Sequence, residues 1–417
     1  MSNLITEKDT FAEYKYNVSE FYIIIGGETI DIPTERITDF KIEHYFENAI
    51  FPIFKVSMNI EPSRYYKIIK AKDKVKFKIR IQSWYRKNGS EKESMLKDII
   101  NDTFSIFTDE DDEDYELELK KDAKTDKDEN ELDKLSNNVE FFLFKTNLVT
   151  GLKTNIEKVL TGVTLTTTVA YLLSKAGASN VLMSPFDNTK SYPELILPPQ
   201  TILRQLMYLN NNYGFHKKGT MIYFGLKYNY ILNYKAGCTA WYKNEWKETV
   251  IYVLEKNNTL SHLSGSVIKS GEKKFYYSVK TEGVQVTASS ISSNAIQGTD
   301  AYAITMSGGG STSKQKGSNK LIGKSGTRVM FNGTSNPYMA STYAAQQQAN
   351  SVVINLSIEN ANIEAFYPNK KVSVIFESQR LNSKYKGTYR IASAIYYFTN
   401  KGDNYEMSGI ITLKKVG

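Results

Sequence analysis

The sequence predicts a mainly β protein with a mixed α/β insertion in its middle. Three observations point there. Apolar and polar residues alternate over long stretches towards both ends of the chain. Between about residues 154 and 234 the apolar spacing changes to three and four. Aromatic residues are abundant, with 29 Tyr and 20 Phe in 417 residues, as suits half-buried strands and wet interfaces. With 41% hydrophobic residues the chain carries enough apolar material for real cores, and its length fits about three domains.

From residue 16 to 90 the period is two. Phe21, Ile23 and Ile25 share a face, and Gly26-Gly27 turns the chain before Thr29-Ile30-Asp31-Ile32. Phe54, Val56, Met58 and Ile60 form a second apolar face. Val75, Phe77, Ile79 and Ile81 alternate with Lys74, Lys76, Lys78 and Arg80, which reads as a strand with one buried and one wet face. Residues 90–138 change character: eight of the ten residues from Asp109 to Glu118 are acidic, which predicts a solvated insertion. It lacks the sixth-position glycine of an EF-hand, so calcium is not expected. From Val139 to Val149 the chain is again apolar and strand-like.

In the middle, Val169, Leu172, Leu173 and Ala176 recur at helical spacing, with Thr166 as the expected N-cap and Gly177 as the C′ stop. A second helix is expected to start near Pro199, to face Ile202, Leu203, Leu206 and Leu209 inward, and to end at Asn210-Asn211-Asn212. Lys217-Lys218-Gly219 then turns a hairpin. Residues 235–290 read as further strands, including Thr249–Leu254, whereas 289–350 have the Ser/Gly-rich composition of a linker. From 351 alternation returns. Val352, Ile354, Leu356 and Ile358 share a face, Val372, Val374 and Phe376 follow, and Tyr389, Ile391, Ile395 and Tyr397 are expected to pair with Tyr405, Met407, Ile411 and Leu413.

A short repeat links the two ends. Met58-Asn59-Ile60-Glu61 is followed thirteen residues after the Glu by Lys74-Val75-Lys76-Phe77, and Leu356-Ser357-Ile358-Glu359 twelve residues after the Glu by Lys371-Val372-Ser373-Val374. If the repeat is structural, the polypeptide holds two related small β-barrels.

Composition and motifs exclude more than they assign. The single Cys238 rules out an intramolecular disulfide framework and a cysteine-based zinc site. The N-terminal residues have no apolar core of a secretory leader, and no run reaches the apolar length of a membrane span. The formal net charge of +8 is spread along the chain, so it says little about partners. His44, His216 and His262 sit in no metalloprotease motif, and no Gly-x-Ser-x-Gly elbow occurs. Gly323-Lys324-Ser325 resembles the end of a P-loop, but Ser318 stands where the first glycine belongs. The acidic run reads as a solvated face rather than as paired glycosidase carboxylates. The Lys74–Arg80 stripe with Trp84 and Tyr85, and the Trp241-Tyr242-Lys243 and Trp246-Lys247 cluster, are the only candidates for a basic aromatic nucleic-acid platform.

Two stretches carry a family resemblance. Leu197-Pro198-Pro199 through Leu206, Tyr213-Gly214-Phe215 and Met221-Ile222-Tyr223-Phe224 is one. Tyr389-Arg390-Ile391-Ala392-Ser393 through Gly402-Asp403-Asn404-Tyr405 to Ile411-Thr412-Leu413-Lys414 is the other. In this order they resemble the baseplate central hub proteins of contractile phage tails and phage-tail-like injection systems, over about two-thirds of the chain. The acidic insertion and the Ser/Gly-rich loop are departures from the family pattern. The resemblance implies a non-enzymatic virion baseplate component assembled in the bacterial host cytoplasm, without cofactor or metal. It implies a homotrimer that joins the six-fold tail tube to the three-fold central spike, with tail tube, spike, baseplate wedge and tape-measure proteins as partners. It implies a first tube-like β-barrel over 1–150, interrupted at about 90–138, a spike-wrapping α/β region over 151–235 and a β-rich connection over 236–288. The loop at 289–350 then leads to a second tube-like barrel over 351–417, with strands from 276–288. The expected interface residues are Lys74, Lys76, Lys78, Arg80, Tyr213, Phe215, Tyr389 and Tyr397. The competing readings are a peptidoglycan-degrading tail enzyme and a basic nucleic-acid-binding module.

Overall fold

A computed structural model describes residues 12–71, 74–87, 94–106, 137–234, 248–255, 274–288, 352–368, 370–402 and 404–416, with isolated short pieces at 3–4, 267–268 and between 293 and 342. The acidic run, Cys238, the Trp241–Lys247 cluster, His262, Lys324 and most of the Ser/Gly-rich stretch lie outside the described residues.

The N-terminal alternation forms strands as expected. β1 (Ala12–Ile25) turns at Gly26 and Gly27, both at positive φ, into β2 (Glu28–Asp31); glycine takes that conformation without a Cβ penalty. β3 (Ile37–Tyr45) and β4 (Ile53–Ile60) follow, then helix α1 (Pro62–Ala71), β5 (Val75–Lys87), β6 (Ser94–Ile106) and β7 (Asn137–Lys145). Phe54, Val56, Met58 and Ile60, and Val75, Phe77, Ile79 and Ile81, are buried as their spacing predicted.

The middle region builds its own apolar core. It comprises α2 (Thr146–Leu152), β8 (Asn155–Thr164), α3 (Leu165–Lys175), β9 (Val181–Met183), β10 (Ser191–Thr201), α4 (Ile202–Tyr213), β11 (Thr220–Phe224) and β12 (Asn229–Asn233). Leu165, Val169, Leu172, Leu206, Leu209 and Phe215 meet at its centre. Three sequence expectations shift here. The N-cap of α3 is Thr164, not Thr166, because Thr164 and Thr167 form a reciprocal capping box. Pro198 and Pro199 lie in β10, and the helix starts after them with Thr201 as N-cap. β10 pairs with β8 alone among the described strands, and a missing N–H is tolerated on such an edge. Asn210–Asn212 remain helical, and the stop is Gly214 at φ 68°. Gly177 ends α3 at φ 65° as expected.

The C-terminal half contributes β13 (Glu248–Leu254), β14 (Lys274–Lys280), β15 (Val284–Ala288), β16 (Val352–Glu359), β17 (Val372–Phe376), α5 (Gln379–Tyr385), β18 (Gly387–Asn400) and β19 (Tyr405–Lys415). β13 runs parallel to both its neighbours, β14 and β17. It is buried on both faces, which explains its unbroken apolar run.

These strands and the N-terminal ones form one large sheet in the order β14-β13-β17-β18-β3-β4-β7-β6-β5-β1-β19-β16-β15, with β2 on β1. β18 also pairs with β19 along most of its length. The neighbours β18, β3, β4, β7, β6, β5, β1 and β19 therefore make a circuit that returns to β18. The circuit contains residues from both ends of the sequence.

The short sequence repeat is matched by topology. β4, α1, β5, β6 and β7 follow one another in the chain and lie in the spatial order 5-6-7-4. β16, a 3-10 turn at Ile363–Ala365, β17, β18 and β19 lie in the equivalent order 17-18-19-16. All these pairings are antiparallel. The strand before each set also corresponds. β3 pairs with β4 and follows a 3-10 turn at Thr34–Arg36; β15 pairs with β16 and follows one at Thr281–Gly283. Both turns begin Thr-Glu.

β18 serves both sets. Its residues 387–389 pair with β17 and 393–399 with β3. A bulge between Ile391 and Ser393 separates the two stretches. One extra residue exchanges the faces of a strand. Tyr389 and Ile391 are accordingly buried before the bulge, whereas Ala394, Tyr396 and Phe398 are buried after it. This corrects the expected single face: Ile395 and Tyr397 point outward, and Tyr397 pairs with Ser408.

Candidate interface surfaces

The basic stripe lies on the outer face of β5. Lys74 and Lys76 are exposed. Lys78 Nζ donates to Asn101 Oδ1 on β6 at 2.5 Å. Arg80 sits between two carboxylates, Glu20 on β1 and Asp98 on β6, each at 3.0 Å. The Arg80 guanidinium, helped by the Gln82 amide, holds the Asp98 carboxyl below its usual range. Arg80 thus cross-links three neighbouring strands, and the free charge of the stripe resides on its lysines.

The aromatic candidates divide. Phe215 is fully buried and stacked on Phe186 with ring centres 4.5 Å apart. Tyr389 is also fully buried, and its hydroxyl donates to the Tyr385 carbonyl. Both are enclosed by the chain itself and present no surface. Tyr213 is half-buried, with edge contacts to Tyr192 and Tyr208. Tyr397 is 38% exposed, with Lys41 Nζ 4.8 Å above its ring.

Tyr397 belongs to a larger outer face that the alternation did not single out. One row across β19, β18, β3 and β4 is Ile410, Ile395, Glu43 and Ile53. The next, across β18, β3, β4 and β7, is Tyr397, Lys41, Lys55 and Phe142. Ile53, Phe142, Tyr397 and Ile410 are four of the six exposed large apolar side chains among the described residues. Lys41 pairs with Glu43 at 2.5 Å, and Lys55 lies over Phe142.

Beneath these surfaces, buried polar contacts hold the parts together. Tyr16 on β1 donates from its hydroxyl to the Ala361 carbonyl at 2.6 Å and accepts from the Ile363 N–H at 3.1 Å. Arg390 on β18 pairs with Glu47 after β3 at 2.6 Å, donates to the Tyr234 carbonyl at 3.0 Å and covers the Tyr234 ring. Arg390 stands between Tyr389 and Ile391, so alternation assigned it to a wet face; Tyr234 of the middle region covers that face instead.

The described titratable groups assemble no catalytic constellation. A cavity of about 70 Å³ is lined by Ile42, His44, Tyr223, Tyr230, Phe366 and Tyr396, among others. His44 Nδ1 lies 2.8 Å from the Tyr223 hydroxyl, and burial pushes its pKa down to about 3, so the ring is neutral. His216 meets the Thr220 hydroxyl at 3.1 Å, and burial lowers it to about 4. Among the described residues there is no group of His, Cys, Asp and Glu that could hold a metal ion, and no helix long and apolar enough to cross a membrane.

Comparison with known structures returns phage tail proteins and a type VI secretion component. The 43 kDa tail protein of prophage MuSo2 from Shewanella oneidensis is 12% identical, with 95% of this chain and 96% of that one covered at a TM-score of 0.49. A tail protein from Neisseria meningitidis MC58 is 9% identical, with 96% and 97% covered at 0.40. The E. coli c3393 protein, a component of the type VI secretion system, is 6% identical, with 97% and 77% covered at 0.39. No curated protein matches. The family "Bacteriophage PBS1 gene 109 protein" matches residues 5–416, nearly the whole sequence, and the chain belongs to that family.

Proposed function

We propose that this protein is a structural baseplate hub, a trimeric adaptor that joins the six-fold tail tube to the three-fold central spike. One observation carries the reading: the strand order 5-6-7-4 recurs as 17-18-19-16 within a single chain. The two sets are read as two tube-like barrels. Three chains then offer six similar units to a six-fold ring while keeping three-fold symmetry towards the spike, since closed symmetry fixes which surfaces must repeat. The pairing of β18 with both β17 and β3 is read as joining the two units, as an element that transmits a push requires. The middle region with its separate core is read as the part that meets the spike.

The partners proposed are the tube, spike, wedge and tape-measure proteins, in the virion tail baseplate. Lys74, Lys76, Lys78, Arg80, Tyr213 and Tyr397 remain the proposed contact residues, joined by Ile53, Phe142 and Ile410. No catalytic step is required: the role is to hold through assembly and to advance with the spike. The test is the solution mass of the purified chain by light scattering, alone and with the cognate spike. A mass of three chains in either case is expected. A monomer that ignores the spike overturns the reading.

A further inference from the structure

Three parts of the chain meet around the cavity of about 70 Å³. β3 contributes Ile42 and His44, the middle region Tyr223 and Tyr230, and the connection after β16 Ile363 and Phe366. The wall is mostly aliphatic and aromatic. Lys227 and Glu364 also line it, but they pair with each other at 2.6 Å, so their charges offset.

His44 has a hydrogen-bonding position to spare. Phe46 stacks on its ring with centres 5.3 Å apart, and Tyr396 stands edge-on at 6.0 Å. Nδ1 lies 2.8 Å from the Tyr223 hydroxyl. Burial keeps the ring neutral, and a neutral imidazole has one N–H and one bare nitrogen. Tyr223 is fully buried, and its hydroxyl has no other acceptor among the described residues. Its proton therefore goes to Nδ1, and Nε2 carries the ring N–H. Among the described residues Nε2 has no partner. The ring lies deep enough for burial to dominate its pKa, yet it is only half-buried, so the surface it keeps belongs to the cavity it lines. A buried donor without an acceptor is costly.

We propose that this cavity is a binding site for a small uncharged molecule with one acceptor oxygen, which takes the His44 Nε2–H while its apolar part fills the aromatic wall. Size limits the class. An engineered cavity of about 150 Å³ admits benzene, so roughly four non-hydrogen atoms fit here. The paired charges and the neutral imidazole give an ion nothing to bind, and burying an unpaired charge is expensive. A ligand seated here touches all three parts at once. Its binding energy therefore favours the arrangement in which they meet.

Binding here needs no trimer, so this site and the hub reading stand or fall separately. Full-length protein with heavy nitrogen in its histidines is titrated with acetone and with isobutene, and followed by NMR. The two probes share a shape, and only acetone carries an acceptor. Both are expected to bind saturably, and acetone alone to shift the His44 Nε2 signal. In His44→Leu/Tyr223→Phe both partners of the buried hydrogen bond become apolar, which keeps the cost to folding small. That variant is expected to bind isobutene as the parent does and acetone about tenfold more weakly, the worth of one hydrogen bond. Should the variant not fold, the nitrogen signal of the parent decides. Saturable binding of neither probe leaves a cavity for water alone and overturns the proposal. Acetone that binds without moving the Nε2 signal overturns it too, as does a folded variant in which both probes weaken alike.

Discussion

Arg390 and Glu47 form an ion pair at 2.6 Å in which the arginine side chain is only 4% exposed. Lys414 Nζ lies 2.5 Å from the other carboxylate oxygen. Removing one partner of an isolated buried pair leaves an uncompensated charge, which costs about 3–5 kcal/mol, but Lys414 still holds Glu47 when Arg390 is lost. Arg390→Met is therefore expected to lose less, about 1–3 kcal/mol in urea denaturation, as the Tyr234 carbonyl loses its buried donor. Arg390→Met/Glu47→Leu is expected to lose less than the single variant, because no buried carboxylate remains. A double variant worse than the single would show that packing of the guanidinium on Tyr234, not charge, dominates.

Tyr16 ties β1 to the connection after β16. In Tyr16→Phe the Ala361 carbonyl and Ile363 N–H lose their partner in a buried site. An unsatisfied buried polar group costs about 1–3 kcal/mol, and a loss in that range is expected by denaturation. The Phe side chain preserves the ring contact with Phe398, whose centre is 5.0 Å away. A neutral outcome would mean that water replaces the hydroxyl.

Lys370 is almost fully buried, and burial pushes its pKa from 10.5 down to about 7. Below about pH 7 it is charged in both the folded and unfolded chain, and the cost of the buried charge is at its maximum. Between about pH 7 and 10.5 the unfolded chain binds more protons, so stability rises with pH. Lys370→Met is expected to be more stable than the parent at pH 7, by on the order of a few kcal/mol. That gap should narrow towards pH 10. Thermal midpoints of both proteins at pH 7 and 9.5 measure it, and a gap independent of pH rejects the assignment.

Gly151 in α2 lies against the end of α3. A Cβ there would stand 1.9 Å from the Ala176 carbonyl oxygen. Backbone, not a flexible side chain, blocks it, so the helices must separate. Gly151→Ala is expected to cost about 1–3 kcal/mol, although alanine favours helix. Hydrogen exchange should locate the loss in residues 146–176. Unchanged protection there would mean that α2 shifts freely.

The lysine stripe offers a test of assembly alone. Lys74→Glu/Lys76→Glu/Lys78→Glu spares Arg80, whose Glu20 and Asp98 partners would repel a glutamate. Exposed substitutions of this kind usually change stability by no more than about 0.5 kcal/mol each. The variant is expected to keep the parent's melting profile and to lose trimer formation in light scattering. A normal trimer would remove the stripe from the contact surface.

Local patterns in the sequence were readable where the cause was local. The faces of β4, β5 and β16 follow from strict alternation, and the stops at Gly177 and Lys217–Gly219 from the chemistry of turns. Failures arose where distant contacts decide. Pro198 and Pro199 resemble a helix start, yet they lie in an irregularity of β10 between Leu197↔Lys158 and Gln200↔Ile156, and the pairing on either side keeps them extended. A bulge at Ala392 reverses the faces of β18, and a period-two reading carries no sign of the extra residue. Arg390 and Glu47 look like surface charges because nothing near them in sequence announces the middle region that covers them. The repeat was visible as two short similarities, but the strand order that gives it meaning is set by pairings such as Phe54↔Leu143 and Val353↔Lys414, beyond the reach of either motif.

The shared hairpin also imposes an order of events during synthesis. Strands β1 and β3 leave the ribosome early, yet their remaining partners are residues 393–405. Until these are made, β1 and β3 each lack one of their strand partners, although the other described strands of the first unit have already been synthesised. The β18–β19 hairpin therefore acts as a molecular latch. Its arrival shuts the older unit and joins it to the newer one in a single step, so a nascent hub does not gain a closed first unit before its second unit exists.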